Sequence, residues 1–144
     1  MIVHSGYLSQ LRRAILAYAE KRRMLIKLSD DALHHAKRAI FSIQRGMMDE
    51  AKEKLLQTEK ILRGLGKMTA KDARALHEGA YRAGLEEYVE AKLLYEFVVS
   101  GTIGKILKLD IEDEVYIAGL CDVPGELYRL ALSAATNNDY AREQ

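Results

Sequence analysis

Cysteine, proline and tryptophan are nearly absent from this chain of 144 residues, which has one Cys, one Pro and no Trp. One cysteine can form neither an internal disulfide nor a cysteine-rich zinc site, so we expect a reducing, cytoplasmic compartment. No run approaches the roughly 18 consecutive apolar residues of a membrane span. A composition of 49% hydrophobic and 30% charged residues excludes the collagen-like, low-complexity and disordered classes.

The net charge of +1 is the sum of two halves of opposite sign. Residues 1–72 carry 15 Lys and Arg against 8 Asp and Glu, whereas residues 73–144 carry 7 against 13. This asymmetry indicates an anion-facing surface in the first half and a carboxylate-rich surface in the second. The alternative, which charge alone favours, is two solvated faces that neutralise each other in the fold.

Long helices are predicted because glycine and proline are sparse. Neither residue occurs between Gly6 and Gly46, and apolar residues recur there at steps of three and four. At about 1.5 Å per residue, this pattern predicts a helix roughly 55–60 Å long. Such a helix should pair along its length with other helices or with another subunit.

Cap and stop residues predict the remaining helices. Their expected bounds are about 49–66, then 69–99 with bends at Gly79 and Gly84, then 111–135 with a bend or break at Pro124. No run of alternating β-branched residues is present, so we expect no sheet. Residues 1–144 are therefore predicted to form one all-α domain, a bundle of long antiparallel helices.

Two pairs of carboxylates lie at helical spacing in the second half of the chain. Glu87 and Glu90 are three residues apart in a predicted helix that is apolar almost all round. Two like charges on a mostly apolar face are destabilising unless a positive group neutralises them.

The second pair, Asp122 and Glu126, is four residues apart. If the helix continues through Pro124, this pair shares a face with Gly119 and Gly125, whose small size leaves room for an ion or a phosphate. The opposite face is predicted to be core, and it contains Ile117, Leu120, Cys121, Leu127, Tyr128, Ala131 and Leu132.

Four carboxylates from two packed helices supply the oxygen ligands that Mg²⁺ or Mn²⁺ prefers. Such a site can activate water for in-line displacement at phosphorus. Arg129, three residues beyond Glu126, is positioned to hold a phosphate oxygen. The alternative, which spacing alone favours, is structural: a helix cap at Asp122, an ion pair between Glu126 and Arg129, and a solvated face elsewhere.

The segments that carry these carboxylates resemble the translin superfamily. They are GLEEYVEA at 84–91 and GLCDVPGELYRL at 119–130, with similar patterns at 37–40, 44–46 and 137–140. The resemblance covers most of the chain, from residue 20 to residue 140. It is closer to the catalytic member, translin-associated factor X (TRAX), than to translin itself.

The resemblance implies an all-α fold that assembles into a hollow shell, as a homo-oligomer or as a hetero-oligomer with a translin-like subunit. It implies a Mg²⁺-dependent endoribonuclease that acts on RNA enclosed in the shell. The implied metal-binding catalytic acids are Glu87, Glu90, Asp122 and Glu126, and the candidate nucleic-acid-binding residues are Lys37, Arg38, Arg45 and Arg129.

Two alternatives stay open. The first is a non-catalytic translin-like protein that binds RNA or single-stranded DNA and whose acids are structural. The second is a helical assembly protein with no nucleic-acid role. Family members usually continue through further helices where this chain ends at Gln144, so we expect the last helices of the family to be absent.

Overall fold

The computed structural model describes the backbone of residues 4–142 and the side chains of residues 4–137. Within this part of the chain there are five helices and no strand, which confirms the predicted all-α class. Their bounds are α1 Ser5–Gln44, α2 Met48–Thr69, α3 Ala73–Leu76, α4 Gly79–Ser100 and α5 Asp113–Arg142. None of them is both long and apolar enough to cross a bilayer. The resemblance implies a turn at 137–140, but the backbone there is helical and belongs to α5, so that expectation is wrong.

Helix α1 confirms the predicted long helix, with 40 residues and a length of about 60 Å. Its end is set by Gly46, whose φ of 73° lies in the left-handed region that glycine adopts at low cost. The buried residues of α1 all lie in the half from Leu25 to Ile43. The preceding half exposes large apolar side chains, namely Tyr7, Leu8, Leu11, Ile15 and Leu16.

Helix α2 does not stop at Gly64 or Gly66 as predicted but continues to Thr69. A glycine inside a helix costs only about 1 kcal/mol relative to alanine. Burial of Leu62 and Leu65 on either side of Gly64 offsets that cost. Tertiary packing therefore carries the helix past both glycines.

The helix predicted to begin at Thr69 begins later, because Thr69 is the last residue of α2 and Asp72 caps the next helix, which is then interrupted. The side chain of Asp72 accepts hydrogen bonds from the backbone N–H groups of Arg74 and Ala75, at 3.1 and 3.2 Å, and caps the short helix α3. The chain is extended at Glu78, whose carboxylate pairs with Arg22 of α1 at 3.1 Å. Helix α4 then begins at Gly79 and ends at Gly101, which has a φ of 71°.

Helix α5 runs without a break through Pro124, contrary to the predicted break, and extends beyond the expected end near residue 135. A proline inside a helix removes one backbone hydrogen bond. Burial of Val123 before Pro124 and of Glu126 after it fixes α5 against the rest of the bundle on both sides of that position. The two carboxylates that flank Pro124 therefore stay on one helix.

The core is built from α1, α2 and α4, and α5 packs mainly against α4. The face of α5 predicted to be core is largely exposed, including Ile117, Tyr128 and Leu132, so that prediction is wrong. The packed face carries Gly119, where an added Cβ would lie 2.7 Å from the Glu86 carbonyl oxygen. Gly119, one of the small residues predicted to leave room for an ion, instead allows α5 to approach α4 closely.

Candidate functional site

Three of the four predicted acids line one cleft of about 250 Å³ between α1, α4 and α5. Glu87 and Glu90 lie one turn apart on α4, and Glu126 faces them from α5. Asp122, one turn before Glu126, is exposed and does not line the cleft. The complete lining is Lys37, Ile40, Phe41, Glu87, Glu90, Glu126 and Arg129.

Glu126 is held by hydrogen bonds on both carboxylate oxygens. The amide of Gln44 donates to Oε2 at 2.7 Å and also to the main-chain carbonyl of Glu126 at 3.0 Å. Arg129 donates from Nη1 to Oε1 at 3.1 Å, which matches the ion pair of the structural alternative. These bonds turn the carboxylate toward α1 and its own helix.

Glu90 has the most perturbed acidity in the cleft. Its side chain is buried, and this burial, together with the negative charges of Glu87, Asp122 and Glu126, raises its pKa to about 7. Half-buried Glu87 also has a raised pKa, chiefly because of its burial. The positive charge of Lys37 partly offsets that increase. The cleft therefore concentrates negative charge that a cation would neutralise.

The donor set fits a divalent cation in its chemistry, since Mg²⁺ and Mn²⁺ prefer carboxylate oxygens. As the side chains are placed, however, no three Asp, Glu, His or Cys residues of the described chain come close enough to hold one ion together. Both carboxylate oxygens of Glu126 accept hydrogen bonds from other side chains, those of Gln44 and Arg129. Metal binding would require Glu126 to exchange at least one of these partners.

The four predicted nucleic-acid-binding residues fall into two groups. Lys37 and Arg129 line the carboxylate cleft. Arg38 and Arg45 instead line a neighbouring cleft of about 400 Å³, which we call the basic cleft. Its complete lining is Arg38, Phe41, Ser42, Arg45, Met47, Glu50 and Lys54.

Sequence reasoning missed three residues of this region: Gln44, Phe41 and Lys54. Gln44 belongs to the 44–46 pattern noted above, but nothing in that pattern indicated its carboxylate partner. Phe41 is one of only two phenylalanines and follows two buried positions, so its type suggests a core residue. Its exposure depends on the rotation of α1 against the bundle, which only tertiary packing determines.

The fold is similar to solved C3PO structures. The crystal structure of apo-NeC3PO matches over 99% of this chain and 76% of that chain, with a TM-score of 0.84 and 21% identity. The crystal structure of AfC3PO matches over 93% and 69%, with a TM-score of 0.77 and 23% identity. The structure of an AfC3PO–duplex RNA complex matches over 94% and 69%, with a TM-score of 0.76 and 22% identity. At these identities the similarity establishes the fold.

Sequence comparison supplies the family. No curated protein matches the chain. Residues 20–144, most of the sequence, match the translin family. The all-helical architecture and the C3PO neighbours agree with that match. The chain therefore belongs to the translin family.

Proposed function

We propose that this translin-family chain is a catalytic subunit of the TRAX type, a Mg²⁺-dependent endoribonuclease that hydrolyses RNA phosphodiester bonds. One observation carries the proposal: Glu87, Glu90 and Glu126 line a single cleft together with Lys37 and Arg129. Acids paired with nearby cations are what hydrolysis at a phosphate needs, because the phosphate requires positive charge and the attacking water requires a base.

The acidic and the basic side chains of the cleft have different proposed roles. Glu87, Glu90 and Glu126, joined by Asp122 one turn away, would hold Mg²⁺ or Mn²⁺. The bound cation supplies positive charge beside the phosphate and lowers the pKa of water.

The two cations of the cleft would bind the RNA backbone. The Lys37 ammonium and the Arg129 guanidinium can donate to phosphate oxygens. Arg129 is exposed and donates a single bond to Glu126, so it is free to turn toward a phosphate. Its departure would also release one oxygen of Glu126 for the cation.

The proposed setting is RNA enclosed in an oligomer, formed by copies of this chain or together with a translin-like subunit. The exposed apolar side chains in the first half of α1, such as Leu11 and Ile15, support assembly because such side chains favour burial against a partner. The similarity to the AfC3PO–duplex RNA complex supports RNA as the ligand, with single-stranded DNA as a further candidate. The single cysteine supports a cytoplasmic location.

The hydrogen bonds of Glu126 favour a second candidate function, a non-catalytic protein that binds single-stranded nucleic acid. Both oxygens of Glu126 have protein partners, which is the pattern of a structural carboxylate. In this case the cleft would bind the nucleic-acid backbone through Lys37 and Arg129 without hydrolysis.

Cleavage of an end-labelled RNA in Mg²⁺ or in EDTA separates the two candidates. The parent protein should cleave in Mg²⁺ but not in EDTA, and Glu90→Gln should reduce the rate at least about 100-fold, as expected when a residue needed for the transition state is removed. The neutral amide keeps the size of the side chain and removes a ligand charge.

Glu86→Gln is the matched control, since Glu86 is on the same helix but pairs with Arg82 at 2.9 Å outside the cleft. It should cleave like the parent protein. RNA binding without cleavage by any of the three proteins would favour the non-catalytic candidate. Equal cleavage by the parent protein and Glu90→Gln would refute a catalytic role for this cleft.

A further inference from the structure

One exposed face of α1 alternates basic and aromatic side chains. Lys37 and Phe41 are spaced four residues apart on α1 and therefore lie along one ridge, and Arg45, four residues further, directly follows the last residue of α1. Arg38 lies beside this ridge. All four side chains are exposed, whereas the opposite face of α1 is buried in the bundle.

Phe41 occupies the boundary between the two clefts of the site. Of the residues that the structure describes, it alone lines both the carboxylate cleft and the basic cleft. Its side chain is 64% exposed, so its contribution to the core is small. A phenyl ring held on a rigid helix presents a flat apolar surface to a ligand that spans the two clefts.

The basic cleft has cations that the protein does not neutralise. Arg38, Arg45 and Lys54 line it, together with a single carboxylate, that of Glu50. Among the described side chains, none of these three cations forms an ion pair. Unpaired cations around an open cleft attract an anion such as a phosphate.

We propose that Phe41 stacks on an unpaired nucleobase while the basic cleft binds a phosphate of the same strand, next to the phosphate held at the carboxylate cleft. This inference rests on the proposed nucleic-acid function and adds a base-binding site to it. Aromatic side chains between basic groups are the arrangement with which proteins bind single strands. Every base has a π-face, so the site is tolerant of sequence.

The energy of stacking gives the size of the effect. Base–aromatic stacking contributes about 1–3 kcal/mol per base, which corresponds to about a 5- to 150-fold change in affinity. Phosphate contacts of Arg45 are independent of the base and weaken with salt. The two contributions can therefore be measured separately.

The first experiment uses the absence of tryptophan from the chain. Phe41→Trp introduces a single indole at the proposed stacking position, and its emission is excited selectively at wavelengths that the eight tyrosines do not absorb. Titration with a short single-stranded oligoadenylate in EDTA, where the proposed cleavage does not occur, should quench its emission as the base stacks on the indole. Leu107→Trp is the control, because Leu107 is 82% exposed and lines neither cleft, and its emission should not change.

The second experiment compares Phe41→Ala with the parent protein on two ligands, oligoadenylate and an abasic oligomer with the same sugar–phosphate length. Phe41→Ala should weaken binding of oligoadenylate about 5- to 150-fold and leave binding of the abasic oligomer unchanged. Arg45→Ala should weaken both by the same factor and reduce the salt dependence. Circular dichroism checks that each variant is folded.

The outcomes separate this proposal from the proposed nuclease. Two results would overturn the stacking site even if the parent protein cleaves RNA. The first is that oligoadenylate does not quench the emission of Phe41→Trp, and the second is that Phe41→Ala loses affinity for both oligomers by the same factor. The expected binding pattern without any cleavage in Mg²⁺ would establish the stacking site and refute the nuclease. A parent protein that binds neither oligomer would refute both.

Discussion

The side-chain amide of Gln44 donates hydrogen bonds to both the carboxylate and the main-chain carbonyl of Glu126, at 2.7 and 3.0 Å. This contact joins the last residue of α1 to the middle of α5, 82 positions further along the chain. Because Glu126 also borders the carboxylate cleft, Gln44 sets the orientation of one proposed metal ligand without lining the cleft itself.

Gln44→Ala should destabilise the protein by about 1–3 kcal/mol, because it leaves a buried carboxylate oxygen without its donor. Urea unfolding of the purified variant measures this loss. Gln57→Ala is the control, since the hydrogen bonds of Gln57 stay within α2. Equal losses for the two variants would show that the contact between α1 and α5 contributes nothing specific.

Two glycines of α5 should respond to alanine in opposite directions. A Cβ at Gly119 would lie 2.7 Å from the Glu86 carbonyl oxygen and from Val89, so α5 must shift away from α4. Gly119→Ala should therefore cost about 1–3 kcal/mol. A Cβ at Gly125 meets nothing within 4 Å, so Gly125→Ala should stabilise the protein by about 0.5–1 kcal/mol.

Thermal unfolding of the two glycine variants tests this difference. The melting temperature should fall for Gly119→Ala and rise for Gly125→Ala. A fall of similar size for both would contradict the close contact between α4 and α5 at Gly119.

The helices were predictable from the sequence where local patterns determine them. The absence of Gly and Pro and the apolar period determined α1, and Gly101 acted as a local stop signal for α4. The break before α4 lies at the bend predicted for Gly79, but its completeness was not predictable, because it coincides with the ion pair of Glu78 with Arg22, 56 residues earlier. Contacts this distant leave no periodic signal in a sequence.

The candidate site was predictable as a set of residues but not as a geometry. Helical spacing grouped Glu87 with Glu90 and Asp122 with Glu126, and three of these acids share a cleft. The helical wheel of α5 did not predict which side of the helix packs. Apolar residue type favoured the face with exposed Tyr128, whereas the packed side is centred on Gly119 and Val123.

A buried hydrogen bond between α4 and α2 should also be measurable in stability. The Tyr88 hydroxyl donates to the Glu59 carboxylate at 2.7 Å, and both side chains are buried. Tyr88→Phe removes the donor and should cost about 1–3 kcal/mol in urea unfolding. Tyr95→Phe is the control, since the Tyr95 hydroxyl makes no hydrogen bond among the described residues, and it should change stability little.

Glu90 should make the metal-free protein less stable as the pH rises. Its pKa of about 7 in the folded chain lies above the ordinary value of 4.5, so the folded state holds the proton more tightly than the unfolded state. The stability contributed by the protonated carboxyl is present below the ordinary value and is lost as the pH rises from there to about 7.

Glu90→Gln, which carries no titrating group, should therefore be more stable than the parent protein in EDTA at about pH 8, by on the order of 2 kcal/mol. The difference should vanish near pH 4.5. Urea unfolding across this range measures it, and Glu86→Gln supplies the control, because Glu86 is on the same helix but lies outside the cleft and pairs with Arg82. A difference for Glu90→Gln that stayed constant with pH would show that burial does not oppose ionisation of Glu90, and the charged cleft would then need no cation for its stability.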